Sequence, residues 1–150
     1  MSDWIAEAAA LRALRPRGVL FLCVANSARS QLAEGLARAL APAGVQVWSA
    51  GSHPTGVRPE AVAVLAEIGI DISAHFSKAV AEIPTEQVDV VITLCAEQEC
   101  PVFLGRAQRV HWGLPDPAAC DGIAEERLEA FRAVRDELRR RLAVVFGDEG

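Results

Sequence analysis

Cys23, Arg29 and Ser30 stand in the run Cys23-Val24-Ala25-Asn26-Ser27-Ala28-Arg29-Ser30, and these residue types at this spacing suit nucleophilic attack on a tetrahedral oxyanion. Successive backbone N–H groups in a tight loop form a concave anion cradle. A helix starting at the end of the loop adds its free N–H groups and its positive end. Arg29 brings a planar fork that grips two oxygens at once. The same positive field favours the thiolate of Cys23, the nucleophilic form, and Ser30 can donate a hydrogen bond to it. Asn26 tolerates left-handed backbone and can tie the loop to itself. Val24, Ala25, Asn26, Ser27, Ala28, Arg29 and Ser30 are therefore the expected substrate-binding residues. The plainer alternative, a buried cysteine ending a strand and an arginine on a helix surface, accounts less well for Asn-Ser-Ala-Arg-Ser set between a strand and a helix.

A cysteine that attacks an oxyanion must expel an oxygen group, and a carboxylic acid nearby can protonate it. Asp116, between Pro115 and Pro117, is the candidate. Asp-Pro also starts ordinary turns, so it is the company of the Cys23 loop that favours a catalytic role. Four residues separate Cys95 from Cys100, and such thiols can bridge if their α-carbons come within about 7 Å. They can then serve a redox relay: one attacks a covalent intermediate on Cys23 and the other takes over the disulfide. Two alternatives stand beside that reading. The thiols can be small buried hydrophobes, or Cys95, Cys100, His111 and Cys120 can hold zinc, although their spacing lacks the usual short cysteine pairs. The relay is the preferred reading, with no metal and no cofactor expected. Cys120 reads as incidental or as a spare thiol. His53, His75 and His111 are not paired with any nucleophile.

These groups need elements to hold them. Gly18 to Cys23 is a short apolar run, as in a strand buried on both faces. Leu32, Leu36 and Leu40 predict a helix that Pro42 and Gly44 stop. Val45 to Ala50 reads as a second strand closed by Gly51, and Pro59 opens a helix to about Ile68. Asp71 to Pro84 is mixed, with a short helix. Val88 to Leu94 and Ala107 to Trp112 are the third and fourth strands. Leu128, Phe131, Val134, Leu138, Leu142 and Val145 mark a long amphipathic helix. Trp4, Ala8 and Leu11 share a helical face, giving a short N-terminal helix or a frayed extension. Residues 1–17 are thus read as an extension and residues 18–150 as one α/β domain, a parallel sheet with helices on both faces. Ligands of such sheets bind beyond the carboxyl ends of the strands. Cys23, Cys95 and the loop after Trp112 each follow a strand, so they are expected on one rim.

The chain has 150 residues, enough for one core without a disulfide or metal staple. Fifteen basic against 20 acidic residues give a net charge of −5, which weighs against nucleic-acid binding and confines any anion site to a local pocket. No window offers the roughly 18 apolar residues of a membrane span. Met1 to Pro16, carrying Asp3 and Glu7, lacks the basic start and apolar stretch of a signal peptide. A cytoplasmic monomer is the expectation, since free thiols persist in that compartment.

The run from Val19 to Gln31 resembles the active-site loop of the low-molecular-weight protein tyrosine phosphatases, and more closely that of the arsenate reductases built on the same fold. The resemblance continues through Trp48-Ser-Ala-Gly51, Glu67 to Ser73, Thr93-Leu-Cys95 and His111 to Ala118, and leaves the first sixteen residues outside. It implies a three-layer α/β sandwich around a central four-stranded parallel sheet. It implies that Cys23 attacks arsenate, Arg29 and the loop amides hold its oxygens, and Asp116 protonates the leaving oxygen. It implies further that Cys95 attacks Cys23, and that Cys100 then draws the disulfide outward for thioredoxin or another thiol reductant. Three departures bear on this. The Cys95–Cys100 spacing is shorter than in thioredoxin-linked members. Some members bind potassium through residues matching Asn26, Glu34 and Ser49, but an aspartate ligand aligns with Lys78, whose ammonium can take the cation's place; no potassium requirement is expected. The chain also has no Tyr, so it lacks the aromatic residues after Asp116 that phosphatases set against phosphotyrosine. A phosphatase acting on protein or small-molecule phosphate esters is the alternative activity.

Overall fold

The computed structural model describes residues 3–95 and 105–147. Its centre is β1, Gly18–Cys23, with all six residues buried. Flanking it are β2, Gln46–Gly51, and β3, Val90–Thr93, and beyond β3 lies β4, Gln108–His111. All pairings are parallel, in the order β2-β1-β3-β4. The expected third strand is trimmed at its start because Val88 closes the 3-10 turn Thr85–Gln87. Past the ladder ends, Leu94 and Trp112 still donate to the carbonyls of Leu22 and Thr93.

Side chains of adjacent strand residues point to opposite faces. Val19, Phe21, Val47, Val90 and Ile92 enter one core, shared with helices α1 (Trp4–Leu14), α2 (Arg29–Leu40), α3 (Pro59–Ala66) and α4 (Ala124–Phe146). Leu20, Leu22, Ala50 and Val91 enter a smaller core with Ile83 and Val88. The α/β sandwich and its four-stranded parallel sheet are as expected, but its two outer layers are unequal. Among the described residues the second face is covered by the 3-10 turns Val80–Glu82 and Thr85–Gln87, not by a long helix. The N-terminal segment is a full helix: Asp3 caps it by accepting from the Ala6 N–H at 3.2 Å. Among the described residues no helix is long and apolar enough to cross a membrane.

The chain leaves β1 towards β2 on one side and, later, β3 on the other. This reversal opens a crevice at the carboxyl ends of β1 and β3. Cys23 ends β1, and Cys95 follows β3 by two residues.

Candidate active site

Between Cys23 and α2 the carbonyls of the loop are anchored outward. Val24 accepts from the His53 N–H (2.9 Å), Ala25 from Thr55 (3.1 Å) and Ser27 from Arg58 (2.9 Å), while Asn26 accepts from the Ser77 hydroxyl (2.7 Å). In a planar trans peptide the N–H opposes the C=O, so the N–H groups sharing those peptides face the other way. The turn is made at Asn26, in left-handed backbone with φ 50°. It packs so close to Gly51 that a Cβ there would lie 2.4 Å from the Val24 carbonyl oxygen, which is why β2 must close on glycine. Arg29 begins α2, whose first turn has no side-chain cap, leaving its N–H groups to the loop.

The orientation of the Asn26 amide follows from one unambiguous donor. The Lys78 backbone N–H donates to the Asn26 side chain at 2.8 Å, so the atom it meets is Oδ1. Asn26 Nδ2 therefore faces Ser30 Oγ (2.7 Å) and Ser49 Oγ (2.9 Å) and donates to both. Ser49 passes its own hydrogen to the buried carboxylate of Glu34 at 2.5 Å. Ser30 Oγ lies 2.8 Å from Cys23 Sγ, within reach to donate to the sulfur or to accept from it.

Glu34, 4% exposed at its side chain, accepts from Arg38 Nε at 2.9 Å and lies 3.5 Å from Lys78 Nζ. His75 Nε2 lies 3.9 Å from it. Burial holds His75 below the usual imidazole range; Glu34 opposes that, and Arg38 and Lys78 reinforce it. The imidazole is thus mainly neutral at pH 7, and the cations facing Glu34 are Arg38 and Lys78.

Arg29 is buried, with Nη1 donating to the Leu114 carbonyl (3.0 Å) and Nη2 3.8 Å from Asp116 Oδ2. Asp116 caps the 3-10 turn Pro117–Ala119, with Oδ1 accepting from the Ala118 N–H (3.0 Å), and its side chain is 37% exposed. Cys23, Val24, Ala25, Ser27, Ala28, Arg29 and Asp116 line a cavity of about 120 Å³. It holds the volume of about four water molecules, which suits a small tetrahedral anion. A larger depression of about 590 Å³, lined in part by Arg12, Arg15 and Phe146, lies at the amino end of the strands, away from the nucleophile.

Cys95 is fully buried and disulfide-bonded, with its sulfur 4.0 Å from the carbonyl oxygen of Leu22, the residue before Cys23. Cys23 and Cys120 are free. Cys100 falls outside the described residues. The zinc alternative loses its first ligand, since a disulfide sulfur is not a thiolate. Among the described residues no three His, Cys, Asp or Glu side chains gather to hold a metal. His111 Nδ1 pairs with Thr93 Oγ1 at 2.6 Å and His53 Nδ1 with Ser52 Oγ at 3.2 Å.

The model of the low molecular weight phosphotyrosine protein phosphatase family matches residues 18–147. The chain belongs to that family. It is 43% identical over 126 residues to an arsenate reductase of Halalkalibacterium halodurans, covering 83% of this chain and 91% of the relative. This similarity places it in the arsenate reductase branch. Among solved structures, arsenate reductase from Archaeoglobus fulgidus superimposes with a TM-score of 0.74 at 29% identity, covering 87% of this chain and 99% of that one. A thioredoxin-dependent arsenate reductase of Corynebacterium glutamicum gives 0.56 at 30% identity, covering 91% and 69%.

Within this phosphatase-family site, the fold brings Cys23, the loop from Val24 to Ser30, Arg29 and Asp116 around one cavity, with Cys95 one strand away. Sequence reasoning missed Gly51, Gln31 and Ser77 as supports of the loop, and the Leu114 carbonyl as a partner of Arg29. The Gly51 signal was a glycine closing a strand level with the end of β1. Ser77 and Gln31 gave none, because serine and glutamine acquire a partner only once the chain is folded.

Proposed function

We propose that this protein reduces arsenate to arsenite with Cys23 as nucleophile. The observation that carries the reading is that Cys95, buried beside the strand that ends in Cys23, is engaged in a disulfide, which serves a thiol relay, whereas phosphate-ester hydrolysis needs no disulfide chemistry. Arsenate enters the cavity against the loop N–H groups and the Arg29 guanidinium. The Cys23 thiolate attacks arsenic, and the departing oxygen takes the proton of Asp116 and leaves as water. Cys95, as a thiolate, next attacks the Cys23 sulfur. The S–S bond forms, the S–As bond breaks, and its electron pair stays on arsenic, which leaves as As(III). Cys100 then attacks Cys95, releasing the Cys23 thiolate and leaving a Cys95–Cys100 disulfide. A dithiol such as thioredoxin supplies two electrons to reopen that disulfide, in keeping with the thioredoxin-dependent relative.

In this reading residues 18–150 form the catalytic domain of a cytoplasmic monomer. Lys78 supplies the positive charge that Glu34 needs, so no potassium ion is required. A phosphatase would need only Cys23, Arg29 and Asp116, and that difference makes the test. With thioredoxin and its reductase, arsenate turnover by Cys95→Ser should fall below detection while Cys23 stays reactive to iodoacetate. Wild-type turnover by Cys95→Ser would refute the relay. Fast aryl-phosphate hydrolysis untouched by changes at Cys95 and Cys100 would establish the phosphatase instead.

A further inference from the structure

Helix α1 lies outside the residues that the family model matches, yet it is built into the core. Ala8 and Leu11 are buried against the rest of the fold. A hydrogen bond reaches from this helix to the acid segment: the indole N–H of Trp112 donates to Glu7 Oε1 at 3.0 Å. Trp112 is 1% exposed. Its N–H is the only polar group of a large buried side chain, and an unpaired buried donor is costly. The Arg141 guanidinium, 2.7 Å from Glu137, lies 5.5 Å from the Trp112 ring and 5.2 Å from the Trp4 ring of α1. The indole is thus held by a carboxylate and by a cation, both fixed by α1 and α4.

Trp112 is the root of the segment that carries Asp116. Its backbone N–H donates to the Thr93 carbonyl (2.8 Å) and the Leu114 N–H to the Leu94 carbonyl (3.1 Å). The Leu114 carbonyl accepts from Arg29 (3.0 Å), and Asp116 follows two residues later. No regular element spans Trp112 to Asp116, so the segment is positioned by these ties together with the burial of Trp112 and Leu114 in the main core.

We propose that α1 is a strut for the acid segment and that Glu7 is a positioning residue for Asp116, acting through the Trp112 indole. The proposal rests on the reading of Asp116 as the proton donor. Losing the Glu7 acceptor lets the indole turn and the segment drift, which slows proton delivery. The Cys23 loop, held from residues 49–58 and 77–78, keeps its grip on the anion.

The test measures the first-turnover rate of arsenite release by the full-length reduced protein, without thioredoxin, at varied arsenate. Glu7→Ala should lower the saturated rate about tenfold, the scale of a displacement below 1 Å. The half-saturating arsenate concentration and the alkylation rate of Cys23 should stay within twofold of wild type. Glu7→Gln keeps an acceptor oxygen and should restore most of the rate. In an Asp116→Asn background, Glu7→Ala should have no further effect. A saturated rate for Glu7→Ala within twofold of wild type, an equal loss in the Asp116→Asn background, or no recovery in Glu7→Gln would each overturn the proposal. A wild-type rate for Asp116→Asn alone would overturn the proton-donor reading itself, and the proposal with it. Should Glu7→Ala fail to fold, Trp112→Phe, which keeps a ring and loses the N–H, is judged by the same rates.

Discussion

Two walls of one cavity, the loop from Val24 to Ala28 and the end of the segment that runs from Trp112 to the lining residue Asp116, are held differently. In the first, four successive carbonyls are anchored to outside donors, Gly51 packs against its backbone, and Asn26 ties it to Ser30, Ser49 and Lys78. In the second, ties are few: the Trp112 indole, two backbone bonds to the end of β3 and beyond, and the carbonyl of Leu114 on Arg29. The contrast matches the tasks. A site that stabilises a thiolate and a tetrahedral anion must be organised before the anion arrives. A group that delivers one proton needs only to reach the leaving oxygen in time. The cost of damage should therefore differ in kind between the two walls, in binding for one and in rate for the other.

The sharpest separation comes from Asp116→Asn, which should lower the first-turnover rate by about 10²- to 10⁴-fold. Inhibition by phosphate, read from competition kinetics, should change little. Gly51→Ala attacks the other wall. Its Cβ would meet the Val24 carbonyl at 2.4 Å, so the loop must shift, and both phosphate affinity and rate should fall, the rate by about 10²-fold. Retained phosphate affinity in Gly51→Ala would erase the distinction between the walls.

A smaller effect probes the brace behind the first wall. Lys78→Ala leaves Glu34 with Arg38 as its remaining cation, and should lower turnover at low salt by roughly five- to tenfold, the scale of a weakened buried ion pair. Added potassium should recover the variant and leave the wild type unchanged. A wild type that needs potassium would show that the ammonium does not replace the ion.

The smallest effect lies on neither wall and serves as a control. Glu67 binds Arg132 and Arg135 of α4, and the hydrogen bonds from these two draw its carboxyl from the ordinary 4.5 down to about 2. A depressed carboxyl stabilises the fold above its unfolded pKa and loses that contribution as pH falls towards its folded one. Thermal melts of Glu67→Gln should therefore show a smaller decline than wild type between about pH 4.5 and 2, with turnover at pH 7 unaltered.

The same two walls show how much was legible beforehand. The Cys23 loop could be read because its chemistry is local: nucleophile, turn residue, arginine and hydroxyl lie within eight positions between an apolar strand and a helix with a four-residue leucine spacing. Asp116 was legible only in the company of that loop, and its support was not, because Glu7 and Trp112 lie 105 positions apart. The layer over Leu20, Leu22 and Val91 escaped for a related reason. Val80, Ile83 and Val88 follow neither a helical nor a strand period, since they come from consecutive 3-10 turns that cover the sheet without regular structure. The apolar run from Val88 to Leu94 overstates β3, Val90–Thr93, because a buried apolar run does not mark where pairing stops.

The account stands on electrons leaving Cys23 and Cys95 for arsenic, and one turnover can show it. Fully reduced protein is given one equivalent of arsenate with no thioredoxin, quenched with alkylating agent, and mapped by peptide mass spectrometry beside an arsenite assay. The expected result is one arsenite per chain, a Cys95–Cys100 linkage lighter by two hydrogens, and Cys23 and Cys120 alkylated. Four alkylated cysteines with no arsenite, or a stoichiometric yield of arsenite from Cys95→Ser, would contradict it.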